Sequence, residues 1–363
     1  MDISGEKQSR FQGLFRRFHL AQEAELAASI RTLSPLERIV FGALIIILIG
    51  STLALLSSVN KFLVREVPAH GGRLAEGVIG SPRFVNPLLA SSNADRDLTS
   101  LVYAGLLKAT PLGKLVPDLA ERYTISPDGL VYDFVIKEQA KFHDGTPVTA
   151  ADVAFTILKA QDPTLKSPKR ANFDGVIVEV KGDRELSFIL KQPYAPFLEN
   201  ATLGILPSHI WRDADAEQFP FSPYNIEPVG AGPYKIVQIK RNSSGIPTSY
   251  ELKAFKDYAL GGPFLSELII RFYPTEEELW SGFRGGEIES VSSISPERLA
   301  TITGNKNNII MRSPLPRVFG VFFNQSQATV LLNSEVREAL SVATDKHRII
   351  EEVLSGYATE ING

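Results

Sequence analysis

The sequence predicts a mixed α and β protein behind one long apolar helix. Two observations set that class. Residues 39–60 form an uncharged run of 22, IVFGALIIILIGSTLALLSSVN, the length a helix needs to cross a bilayer. Beyond it, short β-rich runs alternate irregularly with amphipathic helical patterns, and hairpin turns are inserted between them. The bulk numbers fit a folded chain of 363 residues, 44% hydrophobic and 22% charged, with a formal net charge of −3. That is room for two or three cores, with no positive excess to ask for nucleic acid. Cysteine is absent and the five histidines, His19, His70, His143, His209 and His347, are scattered. Disulfides, thiolate metal sites, a cysteine nucleophile and a lipid-modified N-terminal cysteine are therefore excluded.

The apolar run is bracketed by Arg38 and Lys61, and Ser34-Pro35-Leu36-Glu37 precedes it with an N-cap, a proline at the first helical position and a carboxylate at N3. A helix starting near Pro35 follows. The 38 residues before the run are far more than the short positive region of a cleaved signal peptide, so the expectation is an uncleaved anchor. Lys7, Arg10, Arg16, Arg17, Arg31 and Arg38 precede the span, against Lys61, Arg65 and Arg73 just after it. That excess places residues 1–38 in the cytoplasm and the large remainder on the extracytoplasmic side. Phe11, Leu14, Phe15 and Phe18 share one helical face, which suits either a helix resting on the inner leaflet or a disordered tail.

After a tether at residues 61–71, Arg73–Gly80 reads as a strand and Ala94–Leu107 as a helix with Leu98, Leu101, Val102 and Leu106 on its apolar face. Tyr123–Ile125 and Leu130–Lys137 flank the turn Ser126-Pro-Asp-Gly129, a hairpin. Gly175–Lys181 and Glu185–Lys191 flank Gly182-Asp183, another hairpin. Tyr234–Lys240 and Tyr250–Phe255 pair across a polar loop. Leu268–Tyr273 is a strand, and Thr275 caps a helix at Glu276–Phe283. Asn308–Arg312 and Val318–Asn324 read as strands separated by Ser313-Pro-Leu-Pro316.

The stretch KFHDGTPVTAADVAFTI, residues 141–157, concentrates a histidine, an aspartate and two threonines. Each has a local backbone task. Asp144-Gly145 makes a turn, Thr146-Pro147 stays extended, and Thr149 with Asp152 forms a capping box. His143 and Asp144 point apart on an extended chain, with no serine or cysteine placed for activation. Glu276, Glu277, Glu278 and Glu287 are the remaining candidate acids, and the first three suit a helix N-terminus. No G-x-x-x-x-G-K-[ST] loop is present. The expectation is no enzyme and no cofactor.

The same stretch resembles the signature segment of the family 5 extracellular solute-binding proteins of ABC importers. The resemblance continues in order through Ser81-Pro-Arg-Phe-Val-Asn-Pro87, Asp95–Leu98 to Tyr103–Leu106, Leu115-Val-Pro-Asp-Leu-Ala120, Val229-Gly-Ala-Gly-Pro-Tyr-Lys235, Gly285–Glu289, Asn333–Leu340 and Ala343–Ile350. It implies a periplasmic-binding-protein-like fold (type II, cluster C), a clamp of two lobes. The first lobe would be residues 72–305, with a subdomain at about 115–221 inserted. The second would start at residue 308 and break off incomplete at 363.

The implied function is capture of peptides, oligo- or dipeptides, and delivery to ABC permease subunits. A nickel chelate or a sugar is the alternative ligand, and a membrane-tethered sensor or scaffold the alternative role. By position, the resemblance assigns ligand contacts to Ser91, Ser92 and Asn93, to Lys169, to Gly230, Ala231 and Gly232, and to Ser292, Ser293 and Asn324. For the glycines a strand-entry turn explains the residues equally well, for Ser91–Asn93 an ordinary helix cap, and for Lys169 a solvated surface lysine. Trp211 and Trp280, the two tryptophans, fall in no expected cleft loop, which argues against sugar.

Overall fold

The structure is a computed structural model that describes residues 32–63, 69–292, 294–295, 298–299, 308–311 and 318–361. The chain divides into two units, Met1–Pro68 and Ala69–Gly363.

In the first unit, α1 spans Pro35–Leu63. Its capping box forms as expected: the Glu37 amide donates to Ser34 Oγ and the Ser34 amide donates to Glu37 Oε2 at 2.7 Å. Residues 35–58 are long and apolar enough to cross a membrane, and none of that stretch is buried against protein. Ile46 is 72% exposed and Leu48 65%. A helix apolar on every side is the kind that is buried, in a protein core or a membrane.

In the second unit the elements run in this order. Strand β1 (Arg73–Ile79) precedes helix α2 (Asn93–Val102) and the short strands β2 (Leu107–Ala109) and β3 (Leu115–Pro117). Then come β4 (Ala120–Ile125), β5 (Val131–Ile136), helix α3 (Ala150–Gln161), β6 (Ile177–Val180) and β7 (Glu185–Ile189). The one-turn helices α4 (Phe197–Asn200) and α5 (Ser208–Trp211) lead to β8 (Tyr234–Arg241), β9 (Pro247–Ala254), β10 (Glu267–Tyr273), α6 (Glu276–Arg284) and β11 (Ser290–Val291). Helices α7 (Ser334–Ala343) and α8 (Lys346–Glu352) follow.

Two larger sheets result. The first has the order β11-β1-β10-β9-β8, with β1 parallel to β10 and β11 and the other pairs antiparallel. The second is antiparallel, β4-β5-β7-β6. The first is built from strands before and after the second, so the chain enters the second sheet and returns. One core joins them: Leu98 and Val102 of α2 are fully buried in the same cluster as Phe134, Phe188, Phe197 and Trp211. A smaller cluster, Ala75, Ile269, Leu279 and Ile288, packs α6 on the opposite face of the first sheet.

Two expectations are corrected, the end of α2 and the late strands, and one holds. Helix α2 ends at Val102 rather than Leu107, because Tyr103 turns extended. The chain then crosses residues 201–205, with Leu107 N donating to Ala201 O and Ile205 N to Ala104 O. A Cβ on Gly105 would lie 2.6 Å from the Thr202 carbonyl, so that crossing needs glycine. At α3 the expected Thr149–Asp152 capping box forms; Asp152 takes the Thr149 amide and hydroxyl and also the Ser208 amide, tying α3 to α5. Finally, 308–311 and 318–324 form no strand. Ile309 is 90% exposed and Phe322 92%; no described strand lies beside them, and an extended segment without a neighbour has no ladder to join. Arg312 and 313–317 lie outside the described residues.

Candidate functional site

The loop before α2 is organised by one carboxylate. Asp95 is fully buried. Its Oδ1 accepts from the amides of Arg83 (2.7 Å) and Phe84 (2.9 Å), and its Oδ2 from those of Ser91 (3.3 Å) and Ser92 (3.1 Å). Ser92 completes the cap, its Oγ accepting from the Asp95 amide. Burial alone would raise the Asp95 pKa, but the hydrogen bonds from Phe84, Ser92 and Arg83 outweigh it and hold the carboxyl below its ordinary value. The capping pattern Ser-x-x-Asp is in the sequence; its reach back to residues 83 and 84 is not.

A second clamp acts on the same loop from the other side. Ser167 Oγ, buried, donates to Leu88 O at 2.7 Å and accepts from the Lys169 amide. Lys166 beside it holds φ +51°, a left-handed conformation that costs a lysine energy and is kept only where the surroundings enforce it.

Between these anchored segments lies an open cleft of about 240 Å³. Arg96, Thr99 and Tyr103 of and beside α2 form one wall, and Lys169, Asn172 and Glu199 contribute to the other. Arg96 donates to Ser91 O and to Asn93 Oδ1. Of the expected residues Lys169 lines the cleft directly; Ser91, Ser92 and Asn93 do not, Ser91 and Asn93 being linked to its wall through Arg96. Asn172 and Asn200 hold each other by two hydrogen bonds in that second wall. A second hollow of about 180 Å³ lies between α2 and β1, with Glu76 and Asp97 over the apolar Val78, Leu98, Ile270 and Phe272. Burial, then the charge of Asp97, raises the Glu76 pKa.

Gly230, Ala231 and Gly232 are elsewhere, packed under the C-terminal end of α2. Ala231 is 1% exposed, and the Gly232 amide donates to Val102 O at 2.8 Å. The close approach that glycine permits here is to protein backbone. His143 latches this turn: its amide donates to Gly230 O, its Nε2 bonds Gly232 O at 3.0 Å, and its Nδ1 accepts from the Gly230 amide. Asp144 points the other way, to His209 Nε2 at 2.8 Å. Residues 141–157 thus join the segment of α3 to the start of β8. Ser292 follows β11, half-buried, and Asn324 is exposed, accepting from Ser326 Oγ and the Gln327 amide in a local turn; neither lines the cleft. Ser293 lies outside the described residues.

The latch fixes His143 as a neutral tautomer, Nε2 donating and Nδ1 accepting. Burial, against the opposing pull of its bond to Gly232, lowers its pKa to about 4. A folded pKa below the ordinary 6.5 means that the unfolded chain binds the extra proton. Stability is then full above pH 6.5 and falls as pH drops towards 4, by up to about 3 kcal/mol. Urea midpoints between pH 7.5 and 4.5 should show that loss, and His143→Gln, which keeps a donor and an acceptor without titrating, should flatten the part due to His143.

Comparison with known proteins decides the family. A profile described as bacterial extracellular solute-binding proteins, family 5 Middle, matches residues 114–363. The chain belongs to family 5. Among its relatives, the oligopeptide-binding protein AppA of Bacillus subtilis (strain 168) is 30% identical over 295 residues, 80% of this chain and 53% of that protein. The dipeptide-binding protein of Escherichia coli (strain K12) is 27% identical, covering 76% of this chain and 55% of that protein. The solved structure of Bacillus subtilis AppA in complex with a nonapeptide matches with TM-score 0.64 and 27% identity, over 82% of this chain and 58% of that one. NikZ from Campylobacter jejuni in complex with Ni(L-His) matches with TM-score 0.63 and 28% identity, over 80% and 57%. The chain spans about half the length of the curated relatives it matches. Family 5 is a family of binding proteins, and the mixed α and β fold expected from the sequence is the fold of these neighbours.

Proposed function

We propose that the chain is the peptide-capturing component of an ABC importer, tethered to the membrane by α1. The observation that carries this reading is the family 5 match over 114–363, with oligopeptide and dipeptide binders among the relatives. In this reading residues 72–305 are a first lobe, 115–221 an inserted subdomain and 308–363 the start of a second lobe. The return of the chain from the β4–β7 sheet into the β1–β10 sheet supports the insertion. The exposed Ile309, Phe319 and Phe322 suit a segment that packs against further protein. The cleft beside α2, lined by Lys169 and by Arg96, which holds Ser91 and Asn93, is the ligand-facing part of the first lobe. A peptide held there reaches the permease without covalent change.

Titration calorimetry with short peptides tests it. Saturable heat with peptides, and none with the same amino acids free, is the expected result. Saturable heat with a nickel–histidine complex alone would favour the second reading, a chelate binder, which the NikZ likeness supports.

The tether has its own test. The chain has no cysteine, so single cysteines are clean probes. Ser4→Cys should resist a membrane-impermeant maleimide in intact cells or spheroplasts, and Ser244→Cys should react. Reaction at both, or loss of residue 4 from the mature chain, would sink the anchor orientation.

A further inference from the structure

Most polar side chains of the cleft already have partners. Arg96 is tied to Ser91 and Asn93, Asn172 and Asn200 hold each other, and the Ser100 and Thr202 hydroxyls donate to the carbonyls of Asp97 and Glu199. Four groups do not. Among the described residues, the Lys169 ammonium and the Glu199 carboxylate line the same cleft without a side-chain hydrogen bond or ion pair. The hydroxyls of Thr99 and Tyr103 are buried with no partner.

Tyr103 is the informative one. It is 4% exposed and lines the cleft. Gly204 and Gly230 pack closely against it: a Cβ on Gly230 would stand 3.1 Å from its ring, and one on Gly204 2.6 Å from its own Cβ. A buried hydroxyl left unpaired is costly, and such groups mark where a ligand or water completes the set. The fixed charges of the cleft are two cations, Arg96 and Lys169, against one carboxylate.

We propose that this cleft is the subsite for an acidic side chain of the bound peptide. The carboxylate sits on the Lys169 side. Lys169 supplies the counter-charge, and a small local opening of the cleft wall on binding lets the buried hydroxyls of Thr99 and Tyr103 donate to it or to a water it carries in. Glu199 stands at the other side and disfavours a carboxylate placed there. This inference rests on the peptide-capture reading.

The test uses the full chain in detergent and three peptides, Ala-Glu-Ala, Ala-Gln-Ala and Ala-Lys-Ala, titrated by calorimetry. The Glu peptide should bind about tenfold more tightly than the Gln peptide, the scale of one charge-assisted hydrogen bond. K169M should reduce that preference to about twofold or less, and K169R should retain it. Y103F should weaken the Glu peptide while raising the melting temperature of the unliganded chain, because an unpartnered hydroxyl is removed. A purely structural tyrosine would give the opposite stability change. Equal binding of the Glu and Gln peptides, or a K169M effect the same on all three, would overturn the subsite and leave peptide capture standing. Binding of none of the three would overturn both.

Discussion

Replacing Asp95 by alanine is expected to cost the folded body about 3–5 kcal/mol, the range seen when a buried, multiply bonded charge is removed. Four backbone amides, of Arg83, Phe84, Ser91 and Ser92, converge on its two oxygens, and alanine would leave all four short of an acceptor. Asparagine should be little better. It keeps the shape, but its Nδ2 would face two amide donors, whichever way it is turned. The carboxyl's pKa lies below its ordinary value, so its stabilisation is present above the unfolded pKa and is lost as pH falls through the folded one. Urea denaturation of Asp95→Ala and of the parent at pH 7, followed by circular dichroism, measures the loss. Midpoints that coincide would mean that the loop does not depend on this residue.

Gly232→Ala is expected to be comparably damaging, by about 3 kcal/mol, the upper end for forcing atoms into a packed site. A Cβ there would stand 2.5 Å from the Val102 carbonyl carbon and 2.6 Å from Leu101 O. These are backbone atoms of a capped helix end and cannot rotate away. Gly230→Ala meets the Val102 carbonyl in the same way. Gly182→Ala is the control: nothing lies within 4 Å of its added Cβ, and a change within about 0.5 kcal/mol is expected at such an open site. Equal stability of Gly232→Ala and Gly182→Ala in thermal melts would contradict the packing of this turn against α2.

The contrast between these residues shows how far the sequence could be read. The hairpin at Ser126–Gly129 and the cap at Ser92 are written in neighbouring residues, because the backbone groups they satisfy lie within a few positions. The helix end at Val102 was misplaced, since the apolar period continues through Leu106; the crossing of residues 201–205 that overrides it is set a hundred residues away. The strands expected at 308–312 and 318–324 do not form at the described residues 308–311 and 318–324, for a related reason: β-propensity describes a surface waiting for a neighbour, and pairing decides the outcome.

The site divides along the same line. Residues 141–157 form a joint, as expected, but only part of it is local: Asp144 bonds Thr146 and Asp152 bonds Thr149 within the stretch, while His143 meets Gly232 across 89 positions. For the glycines of that turn, the sequence left a ligand contact and a strand-entry turn level, and the structure gives their open side to Val102. The cleft itself draws its walls from α2, the Lys169 turn and α4, three segments whose proximity no local pattern encodes. Lys169 could be picked only by resemblance. Tyr103 and Glu199 had no sequence signal, because an unpartnered hydroxyl exists only once the fold has withheld its partners.

The most direct test of the central claim is native mass spectrometry of the full chain, extracted gently from the membranes in which it is made. Peptide capture predicts a series of adducts whose masses match short peptides, lost when the chain is unfolded and refolded and restored when peptides are added back. A chain that carries no peptide from the membrane, and takes up none when peptides are supplied, would contradict it.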